Sequence, residues 1–185
     1  MMEKDDMELI DVSSSHPLWA EVWNLYLGSF PAPEIRTAGA HERATGDAEF
    51  HPKIAVDSAG QLLGLLFYWE HDGSVYIEHL AVNPARRGQR IGSRILEHFL
   101  AEHAASRIVL EIDPPQDELS LRRLRFYARL GFVANDYPYL HPSFRTGDAA
   151  QPHRLVLLSY GTPLSEAEYG MLTEYVRERV LRYVD

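Results

Sequence analysis

The 185-residue chain contains no cysteine. Disulfides, thiolate metal sites and a cysteine acyl-enzyme are therefore excluded, and any acyl chemistry must use another nucleophile or pass directly from donor to acceptor. Long apolar runs are missing too: none approaches the ~18 residues that a membrane-crossing helix needs. The opening MMEKDDMELI is acidic and lacks the basic-then-apolar order of a secretory signal. A cytoplasmic location without membrane association is expected. Basic residues are outnumbered, 18 Lys and Arg against 27 Asp and Glu for a net charge of -9, which argues against nucleic acid as a partner. Repeats and low-complexity stretches are absent, and the 45% hydrophobic content suits a globular core. One domain over residues 1–185 is expected.

What charge there is lies unevenly. Residues 1–50 hold ten acidic side chains against Lys4, Arg36 and Arg43, whereas residues 86–130 hold nine arginines against six acids. An acidic protein that gathers arginines into one segment has a candidate anion site there.

Periodicity outlines the elements. Met7–Val12 reads as a strand and His16–Leu27 as an amphipathic helix. Residues 31–50 read as partly helical, broken by prolines and glycines. Lys53–Asp57, Leu62–Glu70 and Ser74–Asn83 read as antiparallel strands, the last two joined at Asp72-Gly73, a strong hairpin signal. A helix follows over Gln89–His103, with Ile91, Ile95, Leu96, Phe99 and Leu100 as its apolar stripe. Next come a strand, Arg107–Ile112, and a helix, Asp117–Leu130, stopped at Gly131. Strands at Phe132–Ala134 and Arg154–Tyr160 and a helix over Leu164–Val184, with Ser165 and Glu168 as a capping box, complete the chain. The expected fold is α+β, a mixed and mostly antiparallel sheet of about six or seven strands with a βαβ centre and helices on both faces. The last helix is an extension that either covers the sheet or mediates a homodimer.

The sharpest local feature is LAVNPARRGQRIG, residues 80–92. A strand ends at Asn83-Pro84, a short loop follows and a helix begins. Helix N-termini present unpaired N–H groups and a positive dipole end, which suit phosphate oxygens. Gly88 and Gly92 remove side chains where backbone must approach a ligand, and Arg86, Arg87 and Arg90 add positive charge. The loop has neither the Lys-Ser/Thr of a P-loop nor the GxGxxG of a dinucleotide fold.

Residues 77–100, IEHLAVNPARRGQRIGSRILEHFL, resemble motif A of the GNAT superfamily of N-acetyltransferases. Phe126-Tyr127-Ala128-Arg129-Leu130-Gly131-Phe132 resembles that family's motif B. The resemblance implies a single domain that binds acetyl-CoA as cosubstrate and passes the acetyl group directly to an amine in a ternary complex. The backbone of Leu80, Ala81 and Val82 would receive the pantetheine arm, and Arg87, Gly88, Gln89, Arg90, Ile91 and Gly92 the pyrophosphate. Phe126 would flank the cofactor. Two departures stand out. Arg90 replaces the first glycine of the signature, at a cost if that position needs positive φ. Ser120 occupies the place of an asparagine that contacts the cofactor in many relatives.

The chemistry asks for a base to deprotonate the amine, donors for the thioester oxygen and an acid for the departing thiolate. By resemblance Tyr127 is the acid. Glu78 and Glu111 both interrupt apolar strands and both match bases used within the superfamily, which leaves the base open between them. For each, the alternative is an ion pair with a nearby arginine. His79 and His141 are further candidates for proton transfer, and His79 is expected on the opposite strand face from Glu78, in a structural role. His98 and His103 fall on different helix faces and no other spacing suggests a metal site, so none is expected. Arg122, Arg123, Arg125 and Arg129 read as a solvated helix face. Acceptor selection falls to Pro17–Phe50 and Asn135–His153, and the acidic first third favours a small, cationic amine. The alternatives are a non-catalytic coenzyme A-binding module and an enzyme that uses another acyl-CoA.

Overall fold

A computed structural model describes residues 7–185. The acidic start, with Glu3, Asp5 and Asp6, lies outside the described residues. Seven strands form one sheet in the order β1-β2-β3-β4-β5-β9-β6, and a separate two-stranded ribbon pairs β7 with β8. The strands run β1 Met7–Asp11, β2 Phe50–Asp57, β3 Leu62–His71, β4 Ser74–Val82, β5 Arg107–Ile112, β6 Phe132–Ala134, β7 Leu140–His141, β8 His153–Arg154 and β9 Val156–Tyr160. Helices are α1 Trp19–Ser29, α2 Ala38–Thr45, α3 Ile91–Glu102, α4 Glu118–Arg129 and α5 Glu166–Glu178. Every neighbouring pair in the sheet is antiparallel except β4 and β5. That pair is parallel because the chain crosses between its strands through α3, as a βαβ unit requires.

The inner strand β3 is apolar on both faces, so each face is covered. On one side α1, α5 and the turn that follows α5 pack Val22, Tyr26, Val176 and Val180 against Phe67, Trp69 and Tyr76. On the other, α3 sets its stripe of Ile91, Ile95, Leu96 and Phe99 on Leu66, Tyr68 and Ile77, beside Leu124 and Phe126 of α4. Gly64 makes that approach possible: a methyl group on it would stand 2.5 Å from the Ala81 carbonyl and 2.9 Å from Ile95.

The turns follow their chemistry. At the β3–β4 hairpin Asp72 and Gly73 both have positive φ, 48° and 73°, the pair that a two-residue primed turn demands. Asp117 caps α4, and Ser165 caps α5 in a reciprocal box with Glu168.

Several boundaries differ from the sequence reading, β2 among them, which begins at Phe50 rather than Lys53. The first helix begins at Trp19 rather than His16, because His16 Nδ1 accepts the Leu18 N–H and holds a turn there. The expected strand 154–160 is split at Leu155, with β8 leaving to pair β7 and β9 joining β5. The last helix stops at Glu178 and continues as a 3-10 turn, Val180–Arg182, where the Val180 and Tyr183 carbonyls turn to accept from Arg36. No helix among the described residues is long and apolar enough to cross a membrane.

Candidate active site

β4 and β5 pair only from Ser74↔Arg107 to Ile77↔Leu110, yet β4 continues to Val82 and β5 to Ile112. Beyond that point the strands part. A cleft of about 320 Å³ occupies the gap, with Leu80, Ala81 and Val82 on one wall and Leu110, Glu111 and Ile112 on the other.

Register decides what the β4 wall offers. Asn83 N–H donates to the Leu63 carbonyl, 2.9 Å away. Antiparallel ladders alternate, so Ala81 also turns its N–H and C=O towards β3, and Leu80 and Val82 turn theirs into the gap. Their side chains pack on the α3 face, while Ala81 is buried on the opposite face.

At the top of the gap lies the loop 83–92. Pro84–Arg86 form a 3-10 turn, Gly88 has φ of 81° and Arg90 is left-handed at φ 56°, ψ 21°. Position 90 thus does need positive φ, and this chain fills it with arginine. No side chain caps α3, so the first-turn N–H groups of Ile91, Gly92 and Ser93 have no partner within the helix. Gly92 sits where a methyl would press on Phe126 and Val82 at 3.4 Å, while the side chain of Ile91 is core. Gln89 and Arg87 are exposed, and Arg90 lies 3.8 Å from Glu97. Arg86 is committed elsewhere: it donates to Asp57 at 3.1 Å and to Gln61. The Ser120 hydroxyl is also spent locally, 2.7 Å from Asp117 Oδ1 and accepting from the Gln116 and Asp117 N–H groups.

Tyr127 lines the cleft from α4. Its ring meets Phe126 and Phe132 at 5.0 and 5.7 Å, and its hydroxyl makes no hydrogen bond among the described residues. Burial pushes the phenol up to about 12.

The two carboxylates have different surroundings. Phe67 pairs with His79 and Tyr68 with Ile77, so Glu78 is the extra residue of a β-bulge. Period-two reasoning puts Glu78 and His79 on opposite faces; the bulge puts both on the α1 face, with His79 Nδ1 3.2 Å from Glu78 Oε1. His79 Nε2 is 2.7 Å from the Glu34 carbonyl. Glu78 is fully enclosed. Arg36 grips both of its oxygens, and Trp69 Nε1 donates at 2.8 Å. Burial would raise its pKa, but the Arg36 charge and the His79 contact prevail and hold the carboxyl far below the usual range.

Glu111 lies across the gap. One oxygen accepts from Tyr139, and the other stands 3.8 Å from His141 Nε2. Burial, then the Glu111 charge, push the Tyr139 phenol well above its ordinary value.

Several neighbours of the cleft escaped the sequence reading. Arg36 is 0% exposed and lies against the rings of Phe144, Phe50 and Trp69, at 4.6, 5.4 and 5.6 Å. His153 faces His141 across the β7–β8 ribbon, and Glu34 reaches the cleft from the segment after α1. One signal was available for Arg36, a lone basic residue within an acidic third.

Residues 50–134 match the family model described as an acetyltransferase (GNAT) domain. Among curated proteins none matches the chain. The fold is similar to that of a GNAT-family acetyltransferase from Bacteroides thetaiotaomicron, with TM-score 0.85, 27% identity and coverage of 94% of this chain and 98% of that one. A variant of the spermidine N-acetyltransferase from Vibrio cholerae shares the fold at TM-score 0.60, 12% identity and coverage of 84% and 95%. So does a GNAT-family acetyltransferase from Elizabethkingia anophelis with acetyl-CoA bound, at TM-score 0.57, 15% identity and coverage of 85% and 99%.

Proposed function

We propose, from the match of residues 50–134 to a GNAT acetyltransferase domain, that the protein moves an acetyl group from acetyl-CoA directly to the amine of a small acceptor. The observation that carries this reading is the parting of β4 from β5 beyond Ile77 and Leu110, with Tyr127 on one side and Glu111 on the other.

In this reading the uncapped start of α3 and the loop from Arg87 to Gly92 hold the pyrophosphate through backbone N–H groups. Gly92 keeps that approach open, and Phe126 backs it. The gap-facing N–H groups of Leu80 and Val82 dock the pantetheine arm, and one of them steadies the thioester oxygen as it gains charge. Ser120 has no part, since its hydroxyl caps α4.

Glu111 is the base. Glu111 lines the cleft with its second oxygen 3.8 Å from His141 Nε2, whereas both oxygens of Glu78 are taken by Arg36 and Trp69. Glu111 takes a proton from the ammonium, and the freed lone pair forms the C–N bond as the C–S bond breaks. Tyr127 gives its proton to the sulfur and is reprotonated, through water, by the second proton that leaves the nitrogen, while Glu111 releases the first to solvent. Two protons leave the nitrogen and one reaches the sulfur, so one is released per turnover. Glu78 is a structural anchor.

Calorimetric titration with acetyl-CoA, followed by thiol-release assays over a panel of primary amines, tests the reading. Binding plus acetylation is expected. Indifference to millimolar acetyl-CoA overturns it, and binding without acetylation of any amine favours a coenzyme A-binding module.

A further inference from the structure

Among the described residues, shielded carboxylates take arginine partners: Glu78 with Arg36, Asp57 with Arg86, Glu49 with Arg179 and Glu168 with Arg107. Two in the cleft do not. Glu111 has a side chain 9% exposed, and its nearest basic neighbour is the His141 imidazole. Glu34, 28% exposed, stands 3.3 Å from His153 Nε2. A shielded carboxylate without a compensating cation is costly. The arginines that line the cleft do not supply one: Arg123 is joined to Asp113 at 2.8 Å, and Arg87 belongs to the loop at the phosphate end.

A second observation points to the same place. His141 is 2% exposed and lines the cleft, yet its Nδ1 is buried without a hydrogen-bond partner. His141 and His153 are a direct cross-strand pair with rings 5.7 Å apart, so they share the inward face of the ribbon and span the distance between Glu111 and Glu34. Phe30, Phe144 and Leu155 complete this end of the cleft with apolar surface. The result is two carboxylates without an arginine partner, separated by two imidazoles and an apolar wall, in a cleft whose lining arginines are Arg123, paired with Asp113, and Arg87, in the loop at the phosphate end.

We propose that this end of the cleft binds an acceptor with two cationic nitrogens joined by an apolar chain. One ammonium meets Glu111, where it loses its proton and is acetylated; the other rests on Glu34 at the rim. The inference rests on the acetyl-transfer reading and adds the class of acceptor to it.

The test compares three acceptors of matched length with acetyl-CoA: 1,5-diaminopentane, 5-amino-1-pentanol and 5-aminopentanoate. The wild-type protein is expected to favour the diamine over the amino alcohol by tenfold or more in kcat/KM, with the anionic acceptor slowest. Glu34→Gln should collapse the diamine-to-alcohol ratio towards one while acetyl-CoA affinity, measured by calorimetry, stays as in wild type. Glu34→Lys should turn the preference towards 5-aminopentanoate, a gain that misfolding does not produce. Equal rates for diamine and amino alcohol in the wild type, or a ratio unmoved by Glu34→Gln, overturn the subsite and leave acetyl transfer standing. Failure to acetylate all three together with indifference to acetyl-CoA overturns both.

Discussion

Arg36 and Glu78 meet as a forked ion pair on the floor beside the cleft, their side chains 0% and 1% exposed. The same guanidinium donates to the Val180 and Tyr183 carbonyls, at 2.9 and 3.2 Å, so one side chain joins the α1–α2 connection, β4 and the last turn of the chain. Removing one partner leaves the other charge buried, which costs roughly 3–5 kcal/mol. Arg36→Met is therefore expected to lose most of the protein's stability in urea denaturation, and pairing it with Glu78→Leu should recover a large part. The folded state binds the Glu78 proton more weakly than the unfolded chain, whose carboxyl titrates at its ordinary 4.5. The pair's contribution is thus complete above that pH and falls away below it.

A second acid-sensitive element lies under α1. His41 is 1% exposed, with neither ring nitrogen hydrogen-bonded, amid Trp19, Trp23, Tyr26, Phe50 and Phe67. Burial, then the Arg36 charge, lower its pKa from 6.5 to about 4. Below pH 6.5 the unfolded chain takes up a proton that the folded protein refuses, so stability declines from 6.5 down to about 4, by about 3 kcal/mol at most. His41→Phe should flatten that part of the stability–pH curve; an unchanged curve would show that the histidine titrates freely.

Tyr127→Phe should bind acetyl-CoA with wild-type affinity and lose roughly 10²–10⁴ of its turnover, the usual worth of a proton donor. With its phenol pushed up to about 12, Tyr127 holds its proton throughout the neutral range. No alkaline decline in rate from this residue is expected below about pH 11. A Phe variant of normal turnover would remove Tyr127 from the chemistry.

Adjacent arginines in the loop should behave differently. Arg86 ties the loop to Asp57 and Gln61, so Arg86→Ala is expected to lower Tm by a few degrees. Arg87 is exposed and lines the cleft, so Arg87→Ala should leave Tm unchanged and weaken acetyl-CoA binding several-fold. Melting curves and calorimetry on the two variants decide the point; a reversed pattern would misassign both.

The parts of the fold governed by local rules were legible in the sequence. The stripe from Ile91 to Leu100, the Asp72-Gly73 turn and the Ser165–Glu168 box each rest on residues a few positions apart, and all three are present. The site was legible where it is backbone: the glycine-containing loop, the uncapped helix and the end of β4. What escaped depends on distant pairings. No local signal joins Arg36 to Glu78, 42 positions later, and the bulge that turns Glu78 and His79 to one face exists only against Tyr68 and Phe67. The β7–β8 ribbon even reverses the hydropathy rule, with Leu140 62% exposed and His141 buried. Its inward face serves the cleft and its outward face meets solvent.

The bulge at Glu78 has a further meaning for how this strand tolerates change. A single inserted residue ordinarily swaps inside for outside along everything that follows it. Here the surplus position is absorbed on the spot: Ile77 before it and Leu80 after it remain on the α3 side, as in a strand that lacked residue 78. The anchoring charge occupies a place outside the strand's two-residue rhythm, so a chain without it would keep its ladder and lose instead the acceptor shared by Arg36 and Trp69.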